Sequence, residues 1–510
     1  MKPIIYKIFP VVAAVCIITF TGCNKFLDVN TDPNHVTSST ITAPLVFTAA
    51  ENSVGNRSAG NSAANAGTFG PLQWAYSWMG YMAQNGGFSQ VQNVITYGLD
   101  NTFGDPLWIN YYNTLFDLHQ AKVLGLQEQD TVLAGAAMVL SAKLFQQLVD
   151  LFGNIPYSQA FQTDKYPKPA YDKAQDIYDH LQTSLDTAIM YLKYPVNADF
   201  TGSDIIAQGN EQLWIQFANT IKLRLLIRQS EVSGFDPSSE ITKIMNNGGV
   251  LGAGQSISVN PGYSNQPNKQ SPFYANFGYT PTGTLGSSSE NANTYILNIL
   301  QSTNDPRLAY FFAPLQGTNT FVGCTFGAPQ ASLPGISSAA SYFGPGIIAN
   351  PTQPQWILPS FESMFLYAEA VARGWFPNDH NVQVAYQAAV LESFAWLGDL
   401  NSTADATTYM ANNSIADWAT VAGTSPEQQA RFIAMQKYIA NTCIDPLESY
   451  ADERRLNFLP AGYISADPAR VSNALPVRLP YAESEFTTNN ASVEAQGTIN
   501  VFTSRLFWEQ

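Results

Sequence analysis

The side chains best suited to chemistry in this chain are aromatic rings and amides. Trp74, Trp78 and Tyr81 recur at i, i+4 and i+7, which puts three rings on one face of a helix. Gln84 and Asn85 follow them directly. Tyr274, Asn276, Phe277 and Tyr279 lie in a later stretch rich in Gly, Pro, Asn and Ser, and Tyr342 lies in a second one. Rings cover the apolar C–H faces of a hydroxyl-rich molecule, while amides exchange hydrogen bonds with its hydroxyls. These ten residues form the candidate ligand-binding set. The same spacing also describes a core stripe, so two readings of Trp74, Trp78 and Tyr81 stand: buried packing, or a partly exposed platform.

Tests for an active site fail. The histidines are His35, His119, His180 and His380, and none sits in HExxH or in a close His/Cys metal spacing. The chain has no G-x-S-x-G elbow, no Walker loop and no G-x-G-x-x-G. Asp28-Val29-Asn30-Thr31-Asp32-Pro33-Asn34 alternates oxygen ligands like a calcium loop. It places Pro33 where that loop needs Gly, and Ser39 where it needs Glu. No catalytic residue, metal or cofactor is therefore expected.

The elements that must carry these residues begin with a leader. Lys2 and Lys7 precede an apolar run from Ile8 to Phe20, which ends in Thr21-Gly22-Cys23. This is the order of an export signal, and the run is short for a membrane span. Gly22-Cys23 resembles a lipobox, with Cys23 the lipidated first residue of the mature chain, held on a membrane by its acyl chains. Residues 1–22 are read as signal peptide, 23–36 as a tether and 37–510 as one domain. No further run of spanning length is expected after the signal. Of the remaining cysteines, Cys324 and Cys443 could pair or stay as two buried thiols.

The composition is 45% hydrophobic and 13% aromatic, enough for a large core. Only 12% of residues are charged, against roughly one-quarter in an ordinary domain. The formal charge is −15, and −17 once Lys2 and Lys7 leave with the signal (−15 − 2). That excludes nucleic acid as a partner, since phosphate binding relies on Lys and Arg. It favours a neutral, hydroxyl-rich ligand over a strongly anionic one.

Apolar periodicity predicts a mainly α-helical chain. Leu133, Ala137, Leu140, Leu144, Leu148 and Leu151 form a stripe stopped by Gly153 and Pro156. Residues 174–192, 211–230, 361–373, 382–397 and 426–441 read as further helices, the last with Pro426 in its first turn and Thr424 or Ser425 as cap. Residues 248–284 and 317–359 are long aromatic loops, expected to be functional. Asp452-Glu453-Arg454-Arg455 reads as an ion-pair network locking the C-terminal region to the helices.

Several segments together resemble the SusD/RagB family of outer-membrane nutrient-binding lipoproteins. They run from Gly22-Cys23 and Phe26-Leu27-Asp28 to Asn34, through AKLFQQLVDLFGNIPYSQA at 142–160 and YDKAQDIYDHLQTSLDTAIMYL at 171–192. NEQLWIQFANTIKLRLLIR at 210–228, Asn304-Asp305-Pro306-Arg307-Leu308 and FESMFLYAEAVARGW at 361–375 follow. Pro476, Arg478, Pro480, Tyr481 and Glu485 close the set. TCIDPLESY at 442–450 departs from the family, with Tyr450 where Trp is usual. The resemblance implies TPR-like helical pairs under long irregular loops with minor β elements. It also implies a lipid-anchored protein at the cell surface, on the outer membrane, acting as lid to a SusC-like TonB-dependent barrel. Its cargo would be an oligosaccharide or, in the alternative, a peptide or other nutrient.

Overall fold

Twelve of the helices carry the argument that follows. They are α1 (Ala43–Ser58), α2 (Gln73–Trp78), α3 (Asp105–Gln127), α4 (Thr131–Phe152), α5 (Ala174–Leu192), α6 (Glu211–Arg228), α7 (Pro272–Phe277), α8 (Ser360–Ala372), α9 (Val382–Trp396), α10 (Ser402–Asn412), α11 (Pro426–Ala440) and α12 (Pro446–Leu456). Four short strands accompany them: β1 (Met82–Gln84), β2 (Ile257–Val259), β3 (Glu290–Ala292) and β4 (Gln355–Leu358). The computed structural model describes residues 41–61, 70–379 and 381–509. Cys23, the leader and the tether lie outside them. Residues 43–510 cluster as one unit.

The helices start and stop where local chemistry dictates. Asp130 accepts from the Leu133 N–H at 3.0 Å to open α4, and Gly153, at φ +76°, closes it. Ser425 and Gln428 form a reciprocal capping box at the start of α11, with Pro426 in the first turn. α3 and α4 form a hairpin across residues 128–130, and the Glu128 carboxylate accepts from the Ala43 N–H at the start of α1. α1 packs on α3, α3 on α4, α4 on α5 and α5 on α6. α8 packs on α9 and α11, and α9 on α10.

α4 is buried on nearly all sides, a few polar side chains among its apolar ones, and sits in the middle of this array. It is long and apolar enough to cross a membrane, which corrects the expectation that no such run follows the leader. Its best window is 83% buried inside the protein, because α3, α5 and α6 cover it.

The aromatic loops are more ordered than their composition implies. β2, from the first, pairs antiparallel with β4, from the second. Their rings pack on one another: Phe273 lies 4.7 Å from Trp356, and Phe277 lies 4.6 Å from Phe343.

The charge cluster at the end of α12 is buried and tied to three other helices. Arg455 forms a bidentate pair with Glu369 of α8, at 2.6 and 2.8 Å, and reaches Asp452 at 3.0 Å. Lys437 of α11 pairs with Asp452 at 2.6 Å and with Glu448 at 2.8 Å, and Arg228 of α6 also binds Glu448. Arg454 lies against the Tyr450 and Trp508 rings and binds Glu509 at 2.8 Å, so it anchors the C-terminal segment. Tyr450, the residue that departs from the family pattern, donates to the Pro476 carbonyl and packs edge-on to Trp74.

Burial opposes ionisation of Glu369, but the Arg455 and Arg373 guanidiniums outweigh it and hold its pKa at about 2. A depressed carboxylate stabilises the fold above its ordinary value of 4.5, and that contribution is lost as pH falls toward 2. The midpoint of urea unfolding, followed by circular dichroism, should therefore fall as pH drops from about 5 to 2. Arg455→Ala removes the bidentate partner of Glu369, leaving only Arg373, and should cost about 3 kcal/mol at neutral pH.

Candidate functional site

A two-stranded ladder sets the site. β1 pairs antiparallel with β3, with Met82 opposite Ala292, Ala83 opposite Asn291 and Gln84 opposite Glu290. The Gln84–Glu290 pair opens onto a groove of about 540 Å³. Gln73 from α2, Asn276 from α7 and the hydroxyl-rich turn Ser287–Ser289 complete its polar lining. Thr280 and Leu285 form another wall, in the turn where Tyr279 bridges to Leu285.

Glu290 organises this lining. It is 4% exposed and makes no ion pair with any described residue. Three neutral groups hold it instead. Gln73 Nε2 donates to Oε1 at 2.7 Å, and the Ser287 and Ser289 hydroxyls donate to Oε2. Because those protons point at the carboxylate, the serine oxygens remain as acceptors. Gln84 Oε1 accepts from the Val91 N–H at 3.1 Å, while its Nε2 donates to no described residue. The groove thus offers several acceptors, an amide donor and one negative charge.

Three tyrosines neighbour the lining residues, Tyr274 and Tyr279 in the chain and Tyr342 through Ser287. Tyr279 is 54% exposed. Tyr342 is half-buried and donates to the Ser287 carbonyl. Burial, then the charges of Glu290 and Tyr279, push its pKa up. Tyr274 is half-buried, its ring lying where a Cβ on Gly278 would fall.

The expected set therefore divides. Gln84 and Asn276 line the groove, and Tyr274, Tyr279 and Tyr342 lie beside it. Trp74, Trp78, Tyr81, Asn85 and Phe277 are buried, so of the two readings of the first three the core stripe holds and the exposed platform is corrected. The helix carrying Trp74 and Trp78 ends at Trp78, and Gly80 then turns at φ +68°, so Tyr81 is not on it. Trp78 donates to the Val94 carbonyl and Tyr81 to the Tyr438 carbonyl, so both rings belong to the core. Asn85 cannot serve a ligand, because its Nδ2 is bound to Ser288 O at 2.7 Å and Asn291 Oδ1 at 2.9 Å. It ties β1 to the turn before β3. Cys324 and Cys443 are both free and buried, and burial pushes the Cys324 thiol up to about 12. No group of three or more His, Cys, Asp or Glu among the described residues could hold a metal.

Comparison with known proteins bears on this arrangement. The family model for SusD-like proteins, described as starch-binding and associating with the outer membrane, matches residues 46–482. The chain belongs to the SusD-like family. Solved structures share its fold, including a SusD homolog from Bacteroides fragilis with 20% identity and a TM-score of 0.73, covering 92% of this chain and 100% of that one. A SusD-like protein from Bacteroides thetaiotaomicron has 23% identity and a TM-score of 0.71, covering 92% and 98%. A chitin-binding SusD homolog from Flavobacterium johnsoniae has 22% identity and a TM-score of 0.69, covering 86% and 94%. No protein of curated function matches the chain. The helical scaffold of this SusD-like protein is thus the TPR-like one that the sequence led us to expect.

Sequence reasoning missed Gln73, Thr280, Ser287, Ser289 and Glu290. The run Ser287-Ser288-Ser289-Glu290 was visible, but its partner strand was not. Close approach of backbone is also required here, since a Cβ on Gly286 would meet the Asn276 carbonyl oxygen at 2.4 Å.

Trp78→Ala should lower stability by about 3–5 kcal/mol in urea unfolding, because it opens a cavity in the core. A stable, normally folded Trp78→Ala protein with a lost ligand would contradict the placement of this ring.

Proposed function

We propose that this protein captures a neutral glycan in the Gln84–Glu290 groove, as the surface lipoprotein that delivers it to a SusC-like TonB-dependent barrel and closes over it as a lid. The observation that carries the ligand class is the groove itself. Serine oxygens and a glutamine amide line the cavity, the exposed Tyr279 adjoins the lining residue Thr280 in the chain, and the only formal charge in the lining is negative. Sugar hydroxyls can donate to the serine oxygens and accept from Gln84, while a ring such as Tyr279 can cover a sugar face. The unpaired Glu290 charge disfavours anionic glycans in the same place. Capture needs no bond to be made or broken, and the family is one of binding proteins. The chitin-binding relative from Flavobacterium johnsoniae supports a glycan as cargo. Anchoring through Cys23 and docking to a barrel rest on the leader and on the family's association with the outer membrane.

Calorimetric titration of residues 24–510 against neutral oligosaccharides, uronate-containing oligosaccharides and peptides tests this directly. Saturable binding should appear with a neutral glycan. Tyr279→Ala should weaken it by about 1–3 kcal/mol without changing the melting temperature. Binding confined to peptides would overturn the glycan assignment. Failure of the lipidated protein to co-purify with any barrel would overturn the lid role.

A further inference from the structure

We propose that a second pocket, between α3, α4 and α5, binds a small organic carboxylate carried on a single six-membered ring. The pocket holds about 260 Å³ and shares no lining residue with the Gln84–Glu290 groove. Its size suits a single ring and is just under the usual range for small-molecule sites.

Its walls are aromatic. Phe145 and Tyr157 meet edge-to-face at 4.8 Å, and Phe161 lies 5.4 Å from the His119 ring. Phe161 is held at φ +64°, a left-handed conformation that a bulky residue rarely adopts. Such strain persists where the surroundings hold it, and it is concentrated at ligand sites. Here it keeps the Phe161 ring in the pocket wall.

The pocket holds one cation, and it has no counter-charge among the described residues. Lys122 is half-buried and makes no hydrogen bond or ion pair with any described residue, in a chain with 39 acids and 24 basic residues. The nearby carboxylate, Asp172, is already committed. It accepts from Tyr157 N at 2.9 Å, Ser158 N at 2.8 Å and Ser158 Oγ at 2.6 Å. The Ser141 hydroxyl is also used, on the Ala137 carbonyl. Lys122 Nζ, the His119 ring and Ser184 Oγ are among the lining groups that remain to meet a ligand. Burial lowers the pKa of Lys122, so an anion bound there recovers stabilisation that water no longer gives the ammonium. A carboxylate on a ring with an apolar face satisfies both halves of the site, and this site is opposite in sign to the groove around Glu290.

The carboxylate could be that of a sugar acid or of an aryl acid. Calorimetry with residues 24–510 should use D-galacturonate and 3-phenylpropionate as probes, with galactose and 3-phenylpropanamide as neutral controls. At least one acid should bind saturably and about tenfold or more tighter than its neutral control. Whichever acid binds identifies the source. Lys122→Gln should abolish that preference with an unchanged melting temperature. Phe161→Gly should weaken the acid, because the ring is lost from the pocket wall. Absence of saturable binding, equal binding of acid and control, or an unaffected Lys122→Gln variant would overturn the proposal. Binding lost in Gln84→Ala rather than in Lys122→Gln would also overturn it.

Discussion

The buried charge cluster joining α6, α8, α11 and α12 constrains the rest of the molecule. Arg228, Lys437 and Arg455 meet Glu448, Asp452 and Glu369 out of contact with water. Taking such groups from water is costly unless every partner is present, so a partly assembled cluster is worse than none. These four helices must therefore come together as one. In a chain with so few charges, placing this many inside leaves a surface dominated by uncharged polar groups, as suits contact with hydroxyls.

The cluster also bears on the groove, through one strand. Tyr81 donates to the Tyr438 carbonyl on α11, a helix that the cluster fixes through Lys437. β1 follows Tyr81 directly, and its register with β3 sets Gln84 against Glu290. The buried tyrosine thus positions the groove without touching its contents. Two cavities of opposite character result. One is built around an acid held by neutral donors, the other around a lysine with no acid beside it.

Much of the scaffold was legible in the sequence. The periods at 174–192, 211–230 and 382–397 gave helices within two residues of those observed, because an apolar stripe and its caps are local properties. Pro426 and the Ser425 cap were legible for the same reason. The Asp452–Arg455 run read correctly as a locking network, although its partners Glu369 and Lys437 could not be named from spacing. Trp74 and Trp78 were placed on the right helix, but their faces were not: periodicity locates a stripe without saying what covers it.

By itself, the sequence determined the helices, the excess of acids and the resemblance to the family. These follow from composition and short-range pattern. Only the tertiary structure decided which aromatics are core, that Gln84 faces Glu290, and that Lys122 has no counter-charge. The first two depend on a partner distant in the chain, Tyr438 for Tyr81 and Glu290 for Gln84, and the third on which acids the fold brings near α3. Such pairings are settled by chain closure and packing, which local spacing does not encode.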